Sequence, residues 1–252
     1  MYNQDKMKKY NVSGFEVFEY EEVESTNTLA ESFAVSELKD KQVLLTYHQT
    51  QGRGQLGNKW ESEPGQNISM TIVFKPAQLE AGKQFAVSMV IALGCFDFVC
   101  RYVDGCSVKW PNDIYVNDRK IAGILIEHRI GGMYIQNSLC GIGLNINQEV
   151  FRSDAPNPVS LLQLTGKKIP LKTALAELLE CIGKRYVQVG EYELLEAGFM
   201  QHIYRAQGIF DWEDENGKFR ASVDGVDEYG RLILKDSEDK ERVYGFKEVK
   251  YI

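Results

Sequence analysis

The sequence predicts an α+β fold: a mixed sheet with helices over residues 1–204, then a small all-β unit over 205–252. Three observations carry this. Helical spacing of apolar residues recurs in long segments, a strand-dense stretch fills 106–146, and from Ala206 short β runs alternate with glycine turns.

Residues 15–20 alternate loosely and predict a first strand. A helix follows: Thr28 and Glu31 have capping-box spacing, and Leu29, Phe33 and Ala34 share one face. Residues 42–47 read as a buried strand, 52–65 as a glycine-rich loop, and 67–74 as a strand ending before Pro76. A long helix is expected over 82–103, with Phe85, Met89, Phe96 and Val103 on its buried side. Segments 106–110, 113–117, 119–128 and 133–146 read as β. After a loop at 147–159, helices are expected over 170–189 and about 191–203. Asn216-Gly217, Asp224-Gly225 and Tyr229-Gly230 then punctuate the all-β unit.

Hydrophobic residues make up 44% and charged residues 26%, which fits a packed core. The chain carries 29 Lys and Arg against 36 Asp and Glu, a net charge of −7. Residues 205–252 are acidic too, with 9 against 12. No diffuse basic surface for nucleic acid is expected, and an anionic ligand needs a local cluster of positive charge. Five widely spaced cysteines with no CxxC pair point to reduced thiols rather than a disulfide framework or a zinc site. The N-terminus lacks an apolar signal-peptide core. Ser88, Gly94, Asp97 and Arg101 interrupt the most apolar stretch, 85–103, so it reads as a buried helix and not a membrane span. A soluble, cytoplasmic protein is the expectation.

Four constellations could carry chemistry. Gly52-Arg53-Gly54-Gln55-Leu56-Gly57 matches GxGxxG literally, but the residues after it do not read as the helix that a dinucleotide fold requires. A mobile glycine loop with one arginine suits closure over a phosphate; an ordinary loop is the plain alternative. Lys109-Trp110-Pro111-Asn112-Asp113 leads into a hairpin about Asn117-Asp118. Its pairing sets Tyr115 opposite Lys120 and makes Asp113 and Lys120 diagonal neighbours on one face, about 7–8 Å apart at Cβ. A weak surface ion pair is the alternative there. Gly123 falls on the opposite parity from Lys120. Gly141 and Gly143 lie inside an apolar strand, where glycine marks close approach of a ligand or of packed backbone. Ser25-Thr26-Asn27 sits at a strand-to-helix junction and explains itself at least partly as a cap.

Taken in order, Ser25-Thr26-Asn27, Gln49-Thr50-Gln51-Gly52-Arg53-Gly54, Lys109-Trp110-Pro111-Asn112-Asp113, Asp118-Arg119-Lys120-x-x-Gly123 and Gly141-Ile142-Gly143-Leu144-Asn145 resemble the biotin–protein ligases. The resemblance implies a catalytic domain of the biotin/lipoate ligase type over 1–204 and an SH3-like domain over 205–252. It is similar to the monofunctional type, without an N-terminal DNA-binding domain. The implied reaction joins biotin to ATP as biotinyl-5′-AMP, then transfers biotin to a lysine of a biotin carboxyl carrier domain. ATP and biotin are substrates, and Mg²⁺ is expected, with ligands the sequence does not identify. The family positions imply catalytic roles for Arg53, Asp113 and Lys120. They imply biotin contacts from Ser25, Thr26, Asn27, Gln49, Gly52, Arg53, Lys120, Gly123, Gly141 and Gly143. Nucleotide contacts are implied for Arg53, Gly54, Trp60, Asn112, Lys120 and Asn145. Many relatives carry a basic residue where Gln55 and Leu56 stand, which bears on retention of the adenylate. The segment 150–160 lies where relatives cover the adenine. A lipoate or octanoate ligase or transferase and a non-enzymatic biotin-binding protein are the competing readings. A homodimer is compatible with the resemblance; neither a nucleic-acid nor a membrane partner is expected.

Overall fold

The first strands pair because Ser13 and Gly14 both take left-handed backbone (φ 49° and 83°), a tight turn between β1 (Lys8–Val12) and β2 (Phe15–Tyr20). The computed structural model describes residues 7–153 and 156–252. A short helix, α1 (Thr26–Glu31), links β2 to β3 (Gln42–Thr46), which lies parallel to it. Then follow β4 (Ile68–Phe74), α2 (Phe85–Val99), β5 (Cys106–Lys109), β6 (Asp113–Val116), β7 (Arg119–Gly131) and β8 (Tyr134–Leu144). The eight strands order as β1-β2-β3-β4-β8-β7-β6-β5, and every pair except β2–β3 is antiparallel. This is the mixed sheet expected from the sequence.

Three further helices follow: α3 (Leu161–Thr165), α4 (Leu171–Tyr186) and α5 (Tyr192–His202). All residues of α2 except Ser88 and Asp97 are buried. Asp97 is held by Arg185 of α4 through two hydrogen bonds, 2.6 and 2.9 Å. The stretch Ala81–Val99 is long and apolar enough to cross a membrane, yet 72% of it is buried as the core helix.

A second, five-stranded antiparallel sheet contains β9 (Phe210–Asp214), β10 (Gly217–Val226), β11 (Leu232–Asp236), β12 (Glu241–Tyr244) and β13 (Lys250–Tyr251), in the order β12-β11-β10-β9-β13. Trp212, fully buried, anchors it and donates its indole N–H to Ala221 O at 3.0 Å. The sheet docks on the first through specific contacts. The Trp110 indole N–H donates to Gly230 O (2.8 Å), and the Tyr192 hydroxyl donates to Asp227 O (3.0 Å).

Several details differ from expectation. The N-cap of α1 is Ser25, not Thr28: its Oγ accepts the Thr28 N–H, which moves the helix start three residues earlier. Glu31 therefore forms no capping box and instead pairs with Arg53. The long helix stops at Val99 and residues 100–102 form turns, so Val103 lies outside it. Strand β1 and helix α3 lie outside the anticipated elements; the latter carries a complete capping box, Ser160 with Gln163.

Candidate active site

Polar residues of α1 build one wall of a cleft of about 510 Å³. Ser25, Thr26 and Asn27 are all buried. The Thr26 N–H donates to Gln49 Oε1 at 2.9 Å, which leaves Gln49 Nε2 without a hydrogen bond among the described residues. Thr71 of β4 stands 2.9 Å from Thr26 Oγ1 and donates to Asn27 Oδ1 at 2.6 Å. Asn27 Nδ2 in turn donates to Leu125 O (3.2 Å) and to Glu127 (2.8 Å). Asn27 is thus saturated and pins α1 to the sheet, while Ser25, Thr26 and Gln49 present the wall.

The floor is β7 and β8 at Gly123, Gly141 and Gly143, with Gly123 paired to Gly143. A Cβ on Gly143 would stand 2.2 Å from Cε2 of Trp60, and one on Gly123 would stand 3.0 Å from its ring. Gly123 and Gly143 make room for the Trp60 indole, whereas a Cβ on Gly141 would meet Asn27 Oδ1 at 2.2 Å. The Trp60 Nε1 is buried without a hydrogen bond among the described residues.

Across the floor stand Asp113 and Lys120, with Lys120 Nζ 2.7 Å from Asp113 Oδ1. The ladder explains the closeness. Tyr115 faces Lys120 as expected, but Ile114 faces Ala122, so Ile121 is an extra residue, a bulge. The bulge corrects the parity expected for Gly123: it brings Gly123 beside Lys120, whose Nζ is 3.3 Å from the glycine's would-be Cβ. Burial pushes the Asp113 carboxyl above the usual carboxylate range, while the Lys120 charge pulls the other way. Asn112 lines the cleft and donates to Ile124 O, which fixes the loop after Trp110.

Of three further expected site residues, Arg53 lines the cleft and Gly52 and Asn145 do not. Arg53 lines the cleft, but its guanidinium is engaged by Glu31 (2.7 Å) and Glu127 (2.8 Å) and does not pair with Lys120's partner Asp113. Gly52 does not line the cleft: a Cβ there would meet the Trp60 carbonyl at 2.4 Å, so this glycine lets the loop fold back on itself. Asn145 is fully buried behind the cleft and donates to Val159 O at 3.1 Å. It positions the 157–160 segment, which also bonds the Lys120 backbone through Asn157 O and the Val159 N–H. Of the segment 150–160, residues 154 and 155 lie outside the described residues. Glu61 accepts the N–H groups of Arg152 and Ser153, tying that segment to the glycine loop. Gly54 and Gln55 line the cleft, and Gln55 Oε1 is buried without a hydrogen bond among the described residues.

Sequence reasoning missed the wall supplied by the second sheet: Phe246, Lys247, Val249, Lys250 and Tyr251. It also passed over Lys109, although that residue opens one of the motifs.

A helix-backed mixed sheet, a glycine floor under a glycine-rich loop, and an ammonium–carboxylate pair at the cleft define the class of ligases that activate a carboxylic acid and pass it on. Residues 20–145, half of the chain, match the Biotin/lipoate A/B protein ligase family, and the chain belongs to that family. It is 27% identical over 247 residues to the bifunctional ligase/repressor BirA of Bacillus subtilis (strain 168), covering 94% of this chain and 74% of that protein. It is 28% identical over 221 residues to the biotin--[acetyl-CoA-carboxylase] ligase of Paracoccus denitrificans, covering 84% and 91%. The fold superposes on the biotin protein ligase of Aquifex aeolicus solved with biotin and ATP at a TM-score of 0.77, with 23% identity and coverage of 94% and 99%.

Proposed function

We propose that this protein attaches biotin, in an ATP-dependent reaction, to a lysine of a biotin carboxyl carrier domain through biotinyl-5′-AMP. The observation that carries the reading is the Asp113–Lys120 pair standing over the Gly123–Gly143 floor, 2.7 Å apart, beside the polar α1 wall. In the first step a biotin carboxylate oxygen bonds to the α-phosphorus of ATP. The bridging bond to the β-phosphate breaks, and its electron pair leaves with pyrophosphate. Two anions must meet, and Lys120 is the positioned charge that offsets their repulsion. The ureido ring needs donors and acceptors at fixed places, which Thr26, Ser25 and Gln49 supply; unmatched, they would reject an analogue lacking the group. The bare strands at Gly123 and Gly143 let the Trp60 indole lie close over the sheet, where it can shield the ligand beside the α1 wall from water.

In the second step the carrier lysine attacks the acyl carbon and AMP leaves. Only a neutral amine is nucleophilic, so a base must take its proton. Asp113 suits this because burial raises its carboxyl toward the range where it can accept one. The Mg²⁺ expected with ATP finds no cluster of three acidic, His or Cys side chains among the described residues. Asp113 at the cleft is already paired with Lys120, and the steps above do not use a protein-held metal.

Biotin-dependent pyrophosphate–ATP exchange, run in parallel with lipoate, tests the reading, together with the mass of a carrier domain incubated with biotin and MgATP. Exchange with biotin and a one-biotin mass gain are expected. Exchange driven by lipoate alone would move the assignment to the other branch of the family, and binding of biotin without exchange would make the protein a sensor.

A further inference from the structure

The mechanism above leaves Arg53 of the glycine loop unused, and both terminal nitrogens of its guanidinium are engaged within the protein. Nη1 donates to Glu31 Oε1 at 2.7 Å and to Thr28 Oγ1 at 3.3 Å, and Nη2 donates to Glu127 Oε1 at 2.8 Å. The two carboxylates stand on separate elements, Glu31 at the end of α1 and Glu127 on β7. Both posts are themselves held. Glu127 Oε2 accepts from Asn27 Nδ2 at 2.8 Å, and Arg129 of β7 donates to the carbonyls of Glu31 (2.7 Å) and Phe33 (2.9 Å). Arg53 therefore ties the glycine loop to the wall and to the sheet at once. The rest of the loop is bonded to itself: the Trp60 N–H donates to Gly52 O (2.9 Å) and the Gly54 N–H to Asn58 O (2.7 Å). This loop carries two buried polar atoms to the cleft, Trp60 Nε1 and Gln55 Oε1, each without a hydrogen bond among the described residues.

We propose that Glu31, Glu127 and Arg53 form a clasp that holds the glycine loop over the cleft before any ligand arrives, so that Arg53 is a positioning residue for retention of the adenylate and not a contact to its phosphate. The inference rests on the ligase reading for its ligand and concerns how that ligand is kept. A guanidinium between two carboxylates has already committed the N–H groups that a phosphate would need, and one carboxylate on each terminal nitrogen fixes the direction of the side chain. The three side chains are each about a third exposed, so each ion pair is weak by itself and opens readily. That strength suits a roof: it biases the loop toward the closed position and still lets biotin and ATP enter. The clasp also accounts for the composition of the loop. Gln55 and Leu56 bring no charge by which an anionic ligand could draw the loop shut, and the clasp draws it shut from the protein's side.

The test compares the whole wild-type chain with Glu31→Ala, Arg53→Met and the double variant, with circular dichroism confirming the fold. Glu31 is the clean handle, because its carboxylate bonds Arg53 whereas Glu127 also holds Asn27. Two rates are read: tryptic cleavage after Lys59 in the unliganded protein, and loss of labelled biotinyl-5′-AMP formed in place from biotin and MgATP. Glu31→Ala should raise both rates about twofold or more, up to about fivefold, the effect of one partly exposed ion pair. In the Arg53→Met background Glu31→Ala should change neither rate, the coupling expected of two residues that act through one contact. The sign of the adenylate result separates the two roles of Arg53. Were the guanidinium a contact to phosphate, removing Glu31 would free it from a competitor, and the adenylate would be held longer. Slower loss of adenylate in Glu31→Ala, a rise of less than about twofold in either rate, or additive effects in the double variant would each overturn the proposal. Failure of the ligase reading shows separately, as wild type that forms no adenylate, and the cleavage rates still judge the clasp.

Discussion

Replacing Gly143 by alanine puts one methyl group where the indole of Trp60 lies. The added carbon would stand 2.2 Å from Cε2, 2.4 Å from Nε1 and 2.7 Å from Cδ2 of that ring. Carbon atoms rest at about 3.5–4.0 Å, so the ring must lift by roughly 1.3 Å or more. The backbone N–H of Trp60 donates to Gly52 O at 2.9 Å, so a lifted ring drags the whole 52–60 loop. A displacement of about 1 Å at positioned groups costs on the order of 10²-fold in rate. The strand itself gains, since alanine in a strand interior is better than glycine by about 0.5–1 kcal/mol. Gly143→Ala should thus keep or raise its melting temperature while biotin-dependent exchange falls by about 10²-fold. The double-mutant cycle with Trp60→Ala is the sharper assay: once the indole is gone, the added methyl has nothing to displace, and the two losses should be strongly non-additive. Exchange within about threefold of wild type in Gly143→Ala, or additive losses in the cycle, would refute the account of the floor.

Lys120→Ala should lower adenylate formation by about 10²–10³-fold, with biotin affinity much less changed; single-turnover formation of labelled adenylate measures it. Gln55→Arg adds a charge to the loop over the adenylate and should slow its loss after gel filtration, with formation little changed; equal loss in both proteins would show that position 55 does not govern retention. His128 packs half-buried against Ser138 and its pKa falls from 6.5 to about 4, so between these values the unfolded chain binds a proton that the folded one does not. Stability is therefore lost as pH falls from about 6.5 to about 4, by roughly 2–3 kcal/mol, and His128→Gln should flatten that part of the denaturation-midpoint profile. Gly94→Ala drives a methyl to 2.7 Å from Ile182 Cγ1 in the α2–α4 contact and should destabilise by about 1–3 kcal/mol, read in the melting temperature, with exchange per folded molecule unchanged.

Local patterns were legible where one element decides them. The strands at 15–20, 42–46 and 68–74 follow apolar runs bounded by turns, and the hairpin register at Tyr115–Lys120 follows from a two-residue loop. Beyond one turn the same logic fails at Gly123, because the bulge at Ile121 needs no residue type that marks it: Ile121 is simply another buried apolar side chain. The α1 cap was misplaced for a similar reason. Ser25 and Thr28 are both good caps, and what selects Ser25 is tertiary: Thr26 and Asn27 must be inside the helix to reach Gln49 and Thr71. The wall from Phe246 to Tyr251 was invisible because it joins the cleft only when the second sheet docks through Gly230 on Trp110, 120 residues apart in the chain. Arg53 was read as a phosphate contact from its loop; its two carboxylate partners come from α1 and β7, and nothing local announces them.

A glycine inside a regular element has two readings, close packing or close approach of a ligand, and the neighbours of the absent Cβ separate them. At Gly94 the neighbours are Cα, N and Cγ1 of Ile182, backbone and stem of the helix packed against α2. Nothing there moves without separating two helices, so that glycine serves the core. At Gly141 and Gly143 the neighbours are the far ends of side chains, the amide of Asn27 and the indole of Trp60. These belong to α1 and to the glycine loop, the two elements that descend on the open face of the sheet. Packing and function are then one requirement: the strands are bare so that the wall and the roof of the cleft can stand on them. Asn27 spends every hydrogen bond on Thr71, Leu125 and Glu127, which makes it part of the floor's frame, while Trp60 keeps a buried N–H unmatched among the described residues. A buried unmatched donor on a glycine-rich loop is the arrangement expected of a roof that meets a ligand, whereas an amide bonded to three elements belongs to the frame.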